Sequence, residues 1–459
     1  MMNGFDMNNE YIEAVRRINA GKSRKLFVLT FGCQQNEADS EQVRGIGLLM
    51  GYSLTETPDD ADIIIVNTCA IREHAEDKAL SMLGNFKALK RKRPELVVGV
   101  IGCMAAERHV VEHIKTGFHY VTFTLEPNML HLLPEVIYRK LALGKRSFIV
   151  GKDDGSLTEG IPAERSSGFK AWVSIMYGCN NFCSYCIVPY TRGRERSRPS
   201  ESILSECRGL VAHGVKEITL LGQNVNSYKS DMDFATLIEN IALLDGDFTV
   251  RFMTSHPKDV SDRLIEVMGK YSPKIAPYFH LPLQSGSDRI LKLMHRTYNS
   301  EKFLTTVRKL REAVPGIALS TDVIVGFPTE TDEDFEDTLR VLREVEFDLV
   351  YSFIYSKREG TPAARMDGQV DQARKDERMS RLLALSDAFA DKKNKELIGT
   401  VQRVLVESRS KRGSESSYTA RTLTNKLVHF TSDECLIGEF TEVLIEKAGA
   451  FELFGKLKK

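Results

Sequence analysis

Tyr177-Gly178-Cys179-Asn180-Asn181-Phe182-Cys183-Ser184-Tyr185-Cys186 decides how the rest of this chain is read. Cys179, Cys183 and Cys186 form a C-x3-C-x2-C triplet directly after the apolar segment 171–176. Three thiolates at that spacing can hold three irons of a cubane cluster. Such clusters ordinarily take four cysteines, so a three-cysteine set leaves one iron open to a small molecule. Zinc sites favour C-x2-C pairs with a second pair of ligands further on, and no matching Cys/His pair lies nearby. Eight cysteines in 459 residues are too few for a disulfide-stapled secreted chain.

Composition sets broad bounds. The length suggests about three domains. Apolar residues make up 42% and charged residues 27%, which is ordinary globular material with enough apolar surface for sizeable cores. A net charge of zero excludes a generally basic, nucleic-acid-coating protein but not local basic patches. The N-terminus carries no basic segment followed by an apolar one. No apolar run approaches the ~20 residues needed to span a bilayer. A reducing cytoplasm and no membrane association are therefore expected.

Upstream of the triplet, short apolar runs alternate with amphipathic stretches, a βα pattern. Strands are predicted at 25–30, 62–66 and 96–101. Each ends at a cysteine: Phe31-Gly32-Cys33, Asn67-Thr68-Cys69 and Gly102-Cys103. In a doubly wound sheet the residues just past the strand C-termini gather at one edge. Cys33, Cys69 and Cys103 should therefore converge as a second three-cysteine site, although single buried thiols are common packing residues. Cys207, in the helical pattern 201–213, and the solitary Cys435 are read as packing residues.

Downstream, six strand-like segments alternate with helical ones: 171–176, 217–221, 249–253, 276–281, 318–325 and 349–354. Six βα units predict an open, partial parallel barrel with its chemistry at the C-terminal strand ends. Polar motifs fall there: Gly222-Gln223-Asn224-Val225-Asn226, Thr254-Ser255-His256-Pro257, His280-Leu281-Pro282-Leu283-Gln284-Ser285-Gly286-Ser287 and Gly326-Phe327-Pro328. Asp322 lies inside the fifth strand. Each motif alone could be loop punctuation. Together they predict a ligand pocket, with Gln223, Ser255, Gln284, Ser285 and Asp322 as candidate contacts. The run Arg192-Gly193-Arg194-Glu195-Arg196-Ser197-Arg198 places four arginines just after the cluster triplet. It reads as a phosphate or substrate contact, or else as a solvated charged loop.

After a helix at 372–396 the pattern changes to period-two strands at 400–407, 418–430 and 440–448, with a possible fourth at 451–457. This predicts a small antiparallel barrel. Arg409, Lys411 and Arg412 mark one turn, and basic loops on small β-barrels can hold RNA. From residue 397 on, ten Lys/Arg against eight Asp/Glu make that electrostatic case modest.

The triplet spacing, with Tyr185 just before its last cysteine, resembles the radical S-adenosylmethionine (SAM) enzymes. The chain as a whole resembles the methylthiotransferases of that superfamily, from about residue 24 to the end and over all six cluster cysteines in order. Gly32-Cys33-Gln34-Gln35-Asn36-Glu37-Ala38-Asp39-Ser40, Asn67-Thr68-Cys69-Ala70-Ile71-Arg72-Glu73 and Val188-Pro189-Tyr190-Thr191-Arg192-Gly193 resemble the branch that modifies isopentenyladenosine in tRNA. The resemblance implies an α/β architecture in three parts. These are an N-terminal doubly wound cluster domain at 24–145, after an extension at 1–23; a radical SAM partial (βα)6 barrel at 169–395, after a linker at 146–168; and a C-terminal TRAM barrel at 396–459. It also implies two 4Fe-4S clusters, one radical SAM cluster on Cys179, Cys183 and Cys186 and one auxiliary cluster on Cys33, Cys69 and Cys103. SAM would be held near Tyr185, Gln223, Ser255, Gln284, Ser285 and Asp322. A tRNA anticodon stem-loop would meet Arg192, Arg194, Arg196, Arg198, Arg409, Lys411 and Arg412. An electron donor such as flavodoxin or ferredoxin and a sulfur source complete the expected partners.

The implied reaction is 2-methylthiolation of N6-isopentenyladenosine beside the anticodon. Carbon 2 of adenine is an unactivated C–H position, which is a reason for a radical initiator and a separate sulfur donor in one chain. The alternatives are the same chemistry on threonylcarbamoyladenosine or on a ribosomal-protein aspartate. An iron–sulfur electron carrier or a non-catalytic RNA-binding protein would be alternatives of another class.

Overall fold

The computed structural model describes residues 2–6, 9–70, 73–151, 155, 157–410 and 416–458. The chain divides into two compact units. The first comprises Met1–Ser166, Met176–Asn180 and Cys186–Arg196; the second comprises Ser167–Ile175, Asn181–Tyr185 and Ser197–Lys459.

The first unit is built on a six-stranded parallel sheet. In chain order its strands are β1 (Lys25–Phe31), β2 (Ser53–Leu54), β3 (Ile63–Thr68), β4 (Val97–Gly102), β5 (Phe123–Leu125) and β6 (Ser147–Phe148). They lie side by side as β2-β1-β3-β4-β5-β6, a doubly wound order whose direction reverses between β1 and β3. Every residue of β3 and β4 is buried, as expected of central parallel strands covered on both faces. Successive side chains alternate between two cores. Ile63, Ile65, Val97 and Ile101 join one with Phe123, and Ile64, Val66, Val98 and Val100 join the other with Phe86. The N-terminal extension, given no role by its sequence, folds here. Its helix Glu10–Asn19 buries Ile12 and Val15 in the first of these cores.

The second unit carries six parallel strands: β7 (Lys170–Ser174), β8 (Glu217–Leu221), β9 (Thr249–Phe252), β10 (Tyr278–His280), β11 (Ala318–Val325) and β12 (Leu349–Ile354). They form the rows β9-β8-β7 and β10-β11-β12. Val250 joins the rows, donating to Lys274 O at 2.9 Å and accepting from Ala276 N at 3.0 Å. Helices follow the strands, among them Phe234–Ala242, Ser300–Ala313 and Asp332–Val345. Asp233, Asn299 and Thr331 cap their N-termini through their side chains.

The helix Gln372–Lys395 leads into a closed five-stranded barrel, β13 (Val401–Arg409), β14 (Ser417–Thr422), β15 (Leu427–Thr431), β16 (Phe440–Ala448) and β17 (Glu452–Leu457). The single strand expected over 418–430 is two. Asn425, at φ +68°, turns the chain between them, a conformation Asn tolerates. Among the described residues four seams of the barrel are antiparallel, and Leu427–His429 closes it in parallel against Glu452–Phe454. Cys207 is buried as expected, but Cys435 is exposed in the loop before β16. Among the described residues no helix is long and apolar enough to cross a membrane.

Candidate metal centres and ligand site

Cys33, Cys69 and Cys103 each follow a strand of the first unit, β1, β3 and β4 respectively. The sheet edge brings them together: Cys69 lies within hydrogen-bonding reach of both Cys33 and Cys103. That hydrogen bond draws the Cys33 thiol down to about 6, with Arg192 adding to it against burial. Cys103 is drawn down to about 7 by the same two influences. Cys69 is pushed up by its hydrogen-bond contacts with both neighbours and by burial. Thiolate is the form that binds metal.

A buried polar layer fixes this edge. Asn36 Oδ1 accepts from Cys33 N at 3.3 Å and from Cys33 Sγ at 3.4 Å. Asn36 Nδ2 donates to Asn67 Oδ1 at 3.0 Å, while Asn67 Nδ2 donates to Asn36 O at 2.8 Å and Ser40 Oγ at 2.9 Å. Gly102, just before Cys103, sits at φ +95°, and a Cβ there would collide with Thr68 O and Asn67 Oδ1. The close approach of β4 to the Cys69 turn therefore requires glycine.

Arg192, expected to contact RNA, is instead buried in this unit. Its Nε donates to Cys103 Sγ at 3.2 Å and its Nη2 to Asp39 Oδ2 at 2.7 Å. Burial opposes its charge, but Asp39, Cys103 and Cys33 outweigh burial and hold it protonated.

Cys179, Cys183 and Cys186 sit on one loop after β7. In the first unit, Cys179 N donates to Gly193 O at 3.2 Å. In the second, Arg296 donates from Nη1 to Cys183 Sγ at 3.5 Å, from Nε to Tyr298 Oη at 2.9 Å and from Nη2 to Pro282 O at 2.9 Å. Arg296 is buried, as Arg192 is. Sequence reasoning missed Arg296 and Asp39; neither lies in a recognisable charge pattern. Asn36 and Asn67 stood beside cluster cysteines in the quoted motifs, a signal that could have found them.

At the barrel's C-terminal strand ends, Gln223 Oε1 and Gln284 Oε1 are buried without a hydrogen-bond partner. Gln284 is also held at φ +67°, with its N–H on Asp322 O at 2.8 Å and its carbonyl accepting from Ile324 N at 3.0 Å. Asp322 faces His280, Oδ2 to Nε2 at 3.4 Å. Tyr185 packs beside the apolar cluster of Ile290, Met294, Phe327 and Tyr355. Two expected ligand contacts are engaged with protein instead. Ser255 donates to His280 O, and Ser285, fully buried, lies 3.4 Å from Thr338 Oγ1 and accepts from Ser287 N.

Three segments match known families: residues 25–125 the uncharacterized protein family UPF0004, 173–342 the radical SAM superfamily and 395–458 the TRAM domain. The tRNA-2-methylthio-N6-dimethylallyladenosine synthase of Alkaliphilus oremlandii is 45% identical over 453 residues, covering 98% of this chain and 96% of its own. The synthase of the same name from Geobacillus thermodenitrificans is 47% identical over 444 residues, covering 95% and 84%. The chain belongs to this synthase family. A radical SAM methyltransferase from Kitasatospora setae, TsrM, shares the fold at a TM-score of 0.54 and 12% identity, over 74% of this chain and 75% of its own.

As a radical SAM synthase of this family, the protein is an enzyme that works with SAM and 4Fe-4S clusters. Its residues fit both groups. Two sets of three thiols have the donor chemistry of clusters with one open iron. The orphaned amide oxygens of Gln223 and Gln284 are buried acceptors that a polar ligand can satisfy. The remaining arginines divide. Arg194 is exposed. Arg196 donates to Arg192 O at 3.0 Å, and Arg198 is bound to Ser174 O at 2.6 Å and Glu206 at 2.9 Å. Arg409 is exposed over the Tyr418 ring. Lys411 and Arg412 lie outside the described residues.

Proposed function

We propose that this synthase converts N6-isopentenyladenosine, on the 3′ side of the anticodon in tRNA, to its 2-methylthio derivative. The observation that carries the reading is the presence of two three-cysteine sets in one chain, since a single radical SAM site needs only one. When bound, the two clusters and SAM supply hydrogen-atom abstraction at adenine C2, the inserted sulfur and the methyl group.

The chain's own residues bind and position these groups. Cys179, Cys183 and Cys186 hold the SAM-binding cluster, and Cys33, Cys69 and Cys103 hold the auxiliary one. Gln223 and Gln284 offer buried acceptors to SAM, with Tyr185 and Asp322 as further contacts. Buried Arg296 offsets negative charge at Cys183. Arg194, Arg196, Arg409, Lys411 and Arg412 meet phosphates of the anticodon stem-loop, whose target base is splayed out of its loop. Residues 24–145, 169–395 and 396–459 act as cluster, radical SAM and RNA-binding domains, with 1–23 and 146–168 as extension and linker. An electron donor such as flavodoxin or ferredoxin and a separate sulfur source serve the reaction in the cytoplasm.

The test is anaerobic turnover of cluster-reconstituted protein with SAM, a reductant and an isopentenyladenosine-bearing stem-loop, followed by mass spectrometry of the nucleosides. A methylthio product together with 5′-deoxyadenosine is expected. SAM cleavage with an unchanged nucleoside would overturn this substrate and turn attention to threonylcarbamoyladenosine and the ribosomal-protein aspartate. No cleavage, with both clusters present, would overturn the radical chemistry.

A further inference from the structure

Arg192 is placed as no surface arginine is. Its side chain and that of Asp39 are 3% and 5% exposed. One guanidinium edge is fully used, Nε on Cys103 Sγ at 3.2 Å and Nη2 on Asp39 Oδ2 at 2.7 Å. Asp39 is itself held from the other side by Gln35 Nε2 at 3.0 Å. The backbone is pinned too: Arg192 N donates to Val188 O at 2.8 Å, and Arg192 O accepts from Asn128 Nδ2 at 3.0 Å. The remaining nitrogen, Nη1, is buried with no protein partner. A structural ion pair needs only Asp39; nothing in that role requires a hydrogen bond to a cysteine sulfur.

We propose that Arg192, oriented by Asp39, is a positioning residue for the auxiliary cluster that sets the cluster's reduction potential through its hydrogen bond to Cys103 and its fixed charge. This rests on the assignment of Cys33, Cys69 and Cys103 as that cluster's ligands. A cubane held by three thiolates gains negative charge on reduction. A buried cation and an N–H···S bond both favour the more negative state, so they raise the potential. Asp39 works in the opposite sense, because its carboxylate offsets part of the cation. The pair therefore gives two substitutions of opposite expected sign, which a merely structural salt bridge would not.

The experiment uses the full chain with Cys179, Cys183 and Cys186 replaced by alanine, reconstituted anaerobically with iron and sulfide so that only the auxiliary cluster is present. Its midpoint potential is read by redox titration followed by electron paramagnetic resonance. Arg192→Met is expected to move the potential negative, Arg192→Lys to restore part of the shift, and Asp39→Asn to move it positive. In the chain with all cysteines intact, Arg192→Met should lower methylthio formation more than SAM cleavage. An unchanged potential in Arg192→Met at full iron content would overturn the proposal. Should Arg192→Met fail to take up iron, Asp39→Asn decides, since a negative or absent shift there overturns it equally. The potential is measured without tRNA, so a failed substrate assignment leaves this result standing.

Discussion

Arg251 holds Glu217 in a buried ion pair, Nε to Oε2 at 2.5 Å, with both side chains almost excluded from water. The same guanidinium donates from Nη1 to Leu423 O at 2.8 Å and from Nη2 to Thr422 O at 2.9 Å. Lys170 bridges Glu217 at 3.0 Å and Glu407 at 2.7 Å, and Arg421 joins Glu407 at 2.9 Å. The N-terminal ends of β7 and β8 are thereby tied to the C-terminal barrel by charges that are paired and hydrogen-bonded, the condition under which buried ions are tolerated.

That network makes the second unit acid-sensitive. Burial pushes the Glu217 carboxyl up, but Arg251 and Lys170 outweigh it and hold it down to about 2. A carboxyl depressed in the folded state stabilises above its unfolded value and loses that contribution as pH falls through the folded one. The window is therefore from about pH 4.5 down to about 2, and the contribution at neutral pH is up to about 3 kcal/mol. Urea unfolding should show Glu217→Gln less stable than the parent at pH 7, with the gap narrowing below pH 4. A gap independent of pH would contradict this assignment.

Cysteine substitutions should separate the two metal centres. Cys69→Ala is expected to lower iron after reconstitution from about eight to about four per chain, because it removes one ligand set. SAM cleavage should continue while methylthio product disappears. Cys183→Ala should abolish both. Iron analysis alongside 5′-deoxyadenosine and nucleoside quantitation checks each outcome.

The turn before Cys103 has no room for a side chain. Gly102→Ala must hold φ near +95° and displace both Thr68 O and Asn67 Oδ1, a strain of roughly 1–3 kcal/mol. Thermal unfolding of the apo protein should register that loss, and iron uptake at the auxiliary site should fall with it. Gly84, in the helix Glu73–Lys92, has nothing within 4 Å of its would-be Cβ. Gly84→Ala should therefore stabilise, by up to about 1 kcal/mol.

Surface and buried arginines should behave differently toward RNA. Arg194→Ala and Arg409→Ala are each expected to weaken stem-loop binding and to reduce the salt dependence of affinity by about one unit of slope. Neither should change iron content. Fluorescence anisotropy across a salt series reads the slope, and an unchanged slope would remove that residue from the RNA surface.

Much of this protein is legible in its sequence because the relevant signals are local. Hydrophobic runs of strand length located β1, β3, β4, β8, β11 and β12 to within a residue or two, and the doubly wound rule placed Cys33, Cys69 and Cys103 at one sheet edge although many residues separate them. The triplet at Cys179, Cys183 and Cys186 stands out by its spacing, and it falls in the segment 173–342 that matches the radical SAM superfamily. The 418–430 segment was harder, because period-two hydrophobicity continues through the Asn425 turn and only the backbone reveals the reversal. Charge density does not tell that Arg192 and Arg198 have protein partners. Four arginines in seven residues look like one basic face, yet a short helical turn at Val188–Thr191 carries Arg192 inward to Asp39, and Arg198 finds Glu206. What the sequence determined by itself was which residues bear thiols, which segments must be buried, and in what order the domains follow. What only the tertiary structure decided was which charges meet, because a buried ion's partner is selected by the few ångströms between side chains brought from distant elements, and no local pattern encodes that distance.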